Sequence, residues 1–229
     1  MNKNNSYQRT ELIYKEKMIN IRKSKVIVFG LGGVGSAAAE SISRNFIDTL
    51  TIVDFDTYDI TNLNRQLYSN FESIGSKKPE IFKKNIEKHC PDTNIISVDK
   101  KVTEDNVSDF FDVNYDFVVD AVDDVKAKLA LIKYCKANNI NIISCMGTGN
   151  RINPELVTVD DIYKTYNCPL AKKMRKELRK LDIKSLAVVY SKEDPVKTVD
   201  GKLGSTSFVP GTAGLLLSSY VINKIALSD

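Results

Sequence analysis

Lys25-Val26-Ile27-Val28-Phe29-Gly30-Leu31-Gly32-Gly33-Val34-Gly35-Ser36 carries an apolar run straight into a glycine turn. A helix-forming stretch follows, then a second apolar run at 49–54 that ends in Asp54-Phe55-Asp56. Strand, glycine turn, helix and acid-tipped strand together build a nucleotide site. Glycines let backbone N–H groups come close to phosphate oxygens, and the opening turn of the helix adds favourable partial charge. Gly30, Gly32 and Gly35 satisfy the G-x-G-x-x-G dinucleotide spacing, and Asp54 stands about 20 residues on, where a ribose-binding acid belongs. Alone, the turn fits a nicotinamide or flavin dehydrogenase as well as any other nucleotide enzyme.

Strand-like runs at 25–29, 49–54, 94–98, 116–120 and 141–145 alternate with helical stretches. Several are continuous Val/Ile runs, as expected for a parallel sheet covered on both faces. The expected class is therefore α/β: a Rossmann-like, doubly wound, mostly parallel sheet with helices on both faces. The 229 residues, 42% of them hydrophobic, suffice for one sizeable core. With no Pro- or Gly-rich linker and no repeat, one domain over 1–229 is the simplest division. It comprises an N-terminal arm (1–24), a nucleotide-binding core (25–150) and a substrate and dimer region (151–229).

The stretch after the acidic strand end separates the nucleotide classes. Asp59-Ile60-Thr61-Asn62-Leu63-Asn64-Arg65-Gln66 is followed by Gly75-Ser76-Lys77-Lys78. Hydride transfer uses an intact dinucleotide and has no step for such cations. Breaking the α–β bond of ATP does: charge develops on the α-phosphoryl oxygens and on the departing pyrophosphate, and fixed cations stabilise it. Arg65 offers a planar fork suited to phosphate, Lys78 a mobile point charge and Asn62 an amide donor. Single basic residues are ordinarily solvated surface charges; the run of spacings argues otherwise here.

These elements resemble the ubiquitin-activating-enzyme-like superfamily, whose bacterial members adenylate a carboxylate with ATP. The resemblance covers the G-x-G-G-x-G turn, D-F-D, N-x-x-R-Q, the following Lys and the D-A-V-D-D segment at Asp120–Asp124. It implies that Gly30, Gly32, Gly33, Gly35, Asp54, Asp56, Asn62, Arg65, Lys78 and Asp123 bind ATP. Arg65, Lys78, Asp123 and Arg9 would be the catalytic groups, with Asp123 beside the phosphates and magnesium. Arg9-Thr10-Glu11-Leu12, the loop Met146–Pro154, Cys168–Arg175 and Ser205–Pro210 are similar to one subfamily, the bacterial tRNA threonylcarbamoyladenosine dehydratases. There, ATP activates the threonyl carboxylate of the modified adenosine beside the anticodon. A ureido nitrogen then closes a hydantoin-type ring and expels AMP. The nucleophile lies in the same side chain, so ring closure has the advantage of an intramolecular reaction. The resemblance implies ATP and Mg²⁺ as cofactors, with a monovalent cation as a further candidate. Its partners would be tRNA carrying threonylcarbamoyladenosine, a second copy of the chain receiving Arg9 into its ATP site, and a sulfur-transfer protein as a candidate.

Two alternatives stay open: adenylation of the C-terminal Gly-Gly of a sulfur-carrier or ubiquitin-like protein, and a nicotinamide oxidoreductase or non-catalytic nucleotide module. Against the first, Cys90, Cys135, Cys145 and Cys168 stand singly, so a four-thiolate zinc site has no support and zinc is not expected. Cys168 opens a helix, where a thiol pKa can fall. His89, the one histidine, is expected to cap a helix end or face solvent.

Net charge is +4 at pH 7, yet Lys172, Lys173, Arg175, Lys176, Arg179, Lys180 and Lys184 crowd one helix. Such a run is either a solvated face or a contact for the tRNA backbone, which Lys83, Lys84 and Lys88 would extend if the two helices meet. The polar stretch 1–20 and the unpaired cysteines suit the reducing cytosol. The apolar run 214–227 is too short and interrupted to span a bilayer, so no membrane partner is expected.

Overall fold

The computed structural model describes residues 6–228. Seven strands form one sheet in the order β3-β2-β1-β4-β5-β7-β6. They are β1 (Lys25–Phe29), β2 (Thr49–Asp54), β3 (Asn94–Asp99), β4 (Phe117–Asp120), β5 (Ile142–Cys145), β6 (Val157–Asp161) and β7 (Ala187–Ser191). All pairings are parallel except β6 against β7. The five expected strands lie within a residue of their sequence positions. β6 and β7 were not foreseen, although Val157-Thr158-Val159 alternates and Leu186–Tyr190 is an apolar run. β6 is a half-buried edge strand with two acids, and only pairing with β7 makes it a strand.

The inner strands are buried on both faces because they alternate between two cores. Val26 and Val28 of β1 join one core, Ile27 and Phe29 the other. Over the first lie α3 (Gly33–Ser43), α4 (Lys78–Ile86) and α7 (Phe208–Ala226), reached by α1 (Gln8–Tyr14) and α2 (Met18–Lys23). Over the second lie α5 (Val125–Ala137) and α6 (Pro169–Lys180). The apolar C-terminal run is thus α7, packed on α3 and the sheet. No helix of the described residues is long and apolar enough to cross a membrane.

Chain order reverses between β1 and β4, so the connections leaving those strands diverge to opposite faces. In doubly wound sheets a crevice opens at this switch point, outside the carboxyl ends of the strands.

Candidate functional site

A cleft of about 1010 Å³ lies over the ends of β1, β2 and β4. Gly30 leaves β1 at φ +88°, and a Cβ there would stand 2.7 Å from the Ala121 carbonyl oxygen. Its amide donates to the Val53 carbonyl (2.8 Å). Gly35 holds α3 against the turn: a Cβ on it would come within 1.8 Å of the Gly30 oxygen. Gly30, Gly32 and Gly33 line the cleft, whereas Gly35 lies behind it and sets their approach. No side chain caps α3 at Gly32, so its first amides are left for a ligand.

Asp54, 8% exposed, accepts the Leu31 amide at 2.5 Å and the Asp56 amide at 2.9 Å. The carboxylate therefore ties the glycine turn to the end of β2 as well as facing the cleft. Removing it deprives two amides of a charged acceptor, each bond being worth about 1.5–3 kcal/mol. Asp54→Ala is expected to weaken ATP binding at least about tenfold by calorimetry; unchanged affinity would rule out a nucleotide contact.

The 59–66 segment turns back over the cleft. Asp59 and Asn62 form a reciprocal capping box, Asn62 Oδ1 accepting from the Asp59 amide at 3.1 Å. The Asn62 Nδ2 end has no partner among the described residues. Arg65 Nη1 donates to the Thr61 carbonyl (2.8 Å) and to Asn64 Oδ1 (2.9 Å). Its stem runs beside Gly33, where a Cβ would meet Arg65 Cγ at 3.3 Å. Lys78, 4% exposed, reaches Asp56 through Nζ at 3.1 Å. Asp123 lines the same cleft, exposed and without a hydrogen-bond partner among the described residues. Asn62, Arg65, Lys78, Asp54, Asp56 and Asp123 are thus brought together.

Arg9 is not. It lies exposed on α1, outside the cleft. The tRNA candidates also divide. Lys172, Lys173 and Lys176 are exposed on α6, whose first residues line the cleft. Arg175 instead turns inward and donates to Thr165 Oγ1 and the Ile162 carbonyl, and Arg179 lies over the Tyr163 ring. Lys83, Lys84 and Lys88 belong to the opposite face of the sheet, so they extend no surface of α6. His89 follows the end of α4, where its amide donates to the Ile86 carbonyl (3.0 Å), and its Nε2 faces Glu40 of α3 at 3.4 Å.

All four cysteines are free and buried. Cys168 Sγ accepts the Ala171 amide at the start of α6. Burial pushes the Cys145 and Cys135 thiols up to about 12, which keeps both protonated at neutral pH. No group of three or more His, Cys, Asp or Glu able to hold a metal ion occurs among the described residues.

Lys100, Lys101, Gln66 and Arg151 also line the cleft. The signal for Lys100 and Lys101 was their place just past β3, at the carboxyl edge of a parallel sheet. For Gln66 and Arg151 no spacing reveals burial. Behind the cleft, Asp120 and Lys128 form a fully buried ion pair at 2.9 Å that joins β4 to α5.

A glycine turn, an acid and converging cations at the switch point of a parallel sheet define a doubly wound α/β chain of the nucleotide-binding class. The chain belongs to the ThiF family, whose model matches residues 4–227. It is 36% identical to the tRNA threonylcarbamoyladenosine dehydratase of Bacillus subtilis, over 94% of this chain and 92% of that one. Among solved structures it is similar to the E. coli tRNA N6-threonylcarbamoyladenosine dehydratase. The ATP complex of that enzyme has a TM-score of 0.90 and 33% identity, covering 96% of this chain and 93% of that one. Its AMP complex also has a TM-score of 0.90, at 32% identity, covering 95% and 92%.

Proposed function

We propose that this chain uses ATP to adenylate the carboxylate of threonylcarbamoyladenosine in tRNA and then closes it to a ring. One observation carries the reading: the uncapped start of α3, Asp54, Arg65, Lys78 and Asp123 share one cleft. The carboxylate oxygen attacks the α-phosphorus, the bond to the bridging oxygen breaks, and pyrophosphate leaves. The ureido nitrogen then attacks the acyl carbon and loses its proton, and AMP departs with the oxygen that came from the carboxylate.

In this reading the glycine turn and the α3 amides cradle the phosphates, and Asp54 and Asp56 face the ribose side. Arg65, Lys78 and Asn62 offset the charge that grows on the reacting phosphates. Mg²⁺ characteristically takes one or two carboxylates together with substrate phosphates. The lone, unpartnered Asp123 fits that demand, with the rest of the shell from phosphate and water. When bound, the ion would neutralise phosphate charge. The arm, core and C-terminal region work as one adenylating unit, and exposed Lys172, Lys173 and Lys176 meet the RNA backbone.

A homodimer fits the exposed apolar groups Leu12 and Ile13 on α1, Ile19 on α2, and Phe208 and Leu215 on α7. If Arg9 completes the partner's site, an equimolar mixture of Arg9→Ala and Arg65→Ala protein recovers up to about a quarter of wild-type activity, because about half of the dimers are mixed and each of these holds one intact site. Mixed dimers that form yet stay inactive would refute the exchange. The function itself is tested by mass spectrometry of nucleosides from modified tRNA incubated with protein and ATP. The expected result is loss of one water from threonylcarbamoyladenosine with release of AMP and pyrophosphate. ATP consumption driven only by a carrier protein would overturn it.

A further inference from the structure

Arg151 is a buried cation for which the reading above has no task. It is 3% exposed and lines the cleft. No acid pairs with it among the described residues. Its guanidinium meets only carbonyls: Nη1 donates to Gly149 (3.3 Å) and Asn150 (3.4 Å), Nη2 to Asn167 (2.7 Å). The Nε–H is buried without an acceptor. A guanidinium taken out of water costs several kcal/mol unless a counter-charge joins it, and three carbonyl dipoles supply no full negative charge.

The second feature is α6, 12 residues long, which begins just after Asn167. Cys168 and Leu170 at its start line the same cleft. Pro169 has no N–H and the Ala171 amide goes to Cys168 Sγ, so the Leu170 amide and the positive end of the helix are what favour an anion at that point. A buried arginine and a helix start thus converge independently on one place, and both call for negative charge. Burial selects which anion arrives. A backbone phosphate of folded RNA cannot reach a group this enclosed, whereas a carboxylate at the tip of a slender side chain can.

We infer that Arg151, with the start of α6, binds the substrate carboxylate and sets it for attack on ATP. This rests on the function proposed above and names the group that selects its substrate. The pairing is of the fork-to-carboxylate kind that Arg makes better than Lys.

The test compares equilibrium binding of the free threonylcarbamoyladenosine nucleoside with that of its carboxamide counterpart, in wild type, Arg151→Gln and Arg151→Lys. Wild type should prefer the carboxylate at least about tenfold, Arg151→Gln should lose the preference, and Arg151→Lys should keep part of it. ATP affinity should stay within about twofold throughout, while KM for modified tRNA rises in Arg151→Gln. No preference in wild type, or a preference retained in Arg151→Gln, overturns the assignment. So does parallel loss of ATP affinity and melting temperature in both variants, which would make Arg151 a loop clamp. A wild type that binds the carboxylate nucleoside selectively yet turns over no tRNA would refute the proposed reaction and leave this site standing.

Discussion

Arg65→Ala is expected to lower ATP-driven turnover about a hundred- to a thousandfold, the usual cost of removing one fixed donor from a developing oxyanion. The fold should survive it. The side chain is half-exposed, and its hydrogen bonds go to Thr61 and Asn64 within the same turn. Thermal denaturation should therefore shift by no more than about 3 °C, as for a partly exposed substitution costing up to about 1 kcal/mol. Affinity for ATP should change far less than kcat, because the charge being offset grows as the α–β bond breaks. Arg65→Lys should recover little, since an ammonium cannot match two phosphate oxygens at once. Measured by pyrophosphate release, an Arg65→Ala protein within fivefold of wild type would remove the residue from the reaction.

Gly35→Ala should be the most damaging single-methyl change in the nucleotide turn. The added carbon would stand 1.8 Å from the Gly30 carbonyl oxygen, a backbone atom, and 3.1 Å from Ala121 Cβ, whose position the backbone fixes, at the heart of the β1–α3 junction. Neither can yield without moving α3 off the sheet. A loss of about 3 kcal/mol or more is expected, and with it a fall in Tm of about 6–12 °C for a chain of this size. Gly32→Ala is the control, because a Cβ there meets nothing within 4 Å. That variant should melt close to wild type yet bind ATP more weakly, having filled space where phosphate approaches backbone. Equal melting temperatures for the two variants would show that Gly35 does not set the packing of α3.

Much of this architecture is written locally. The Val/Ile runs name the first five strands because burial on both faces leaves few other places for continuous apolar residues. The glycine turn is legible because Gly30 needs positive φ and Gly35 must bear a backbone contact that no side chain allows. The gathering of Asp54, Asn62, Arg65 and Lys78 at one cleft is legible because they lie at short sequence distance from the glycine turn. Arg175 is set apart from its neighbours on α6 for an instructive reason. Helical spacing puts it beside Lys172 and Lys176, but the Thr165 hydroxyl and Ile162 carbonyl, brought up by the turn before α6, draw it inward.

The primary structure alone determined that a strand, a glycine turn and a helix follow the N-terminal arm and which charged groups stand near that turn, because those constraints are short-ranged and steric. Which of the later residues join them was a decision of the assembled sheet. Reversal of strand order between β1 and β4 opens the cleft and brings Arg151, more than a hundred residues from the glycine turn, into the same enclosure. Burial of that guanidinium, and the lack of an acid beside it, arise from packing among segments distant along the chain, and no local pattern encodes them.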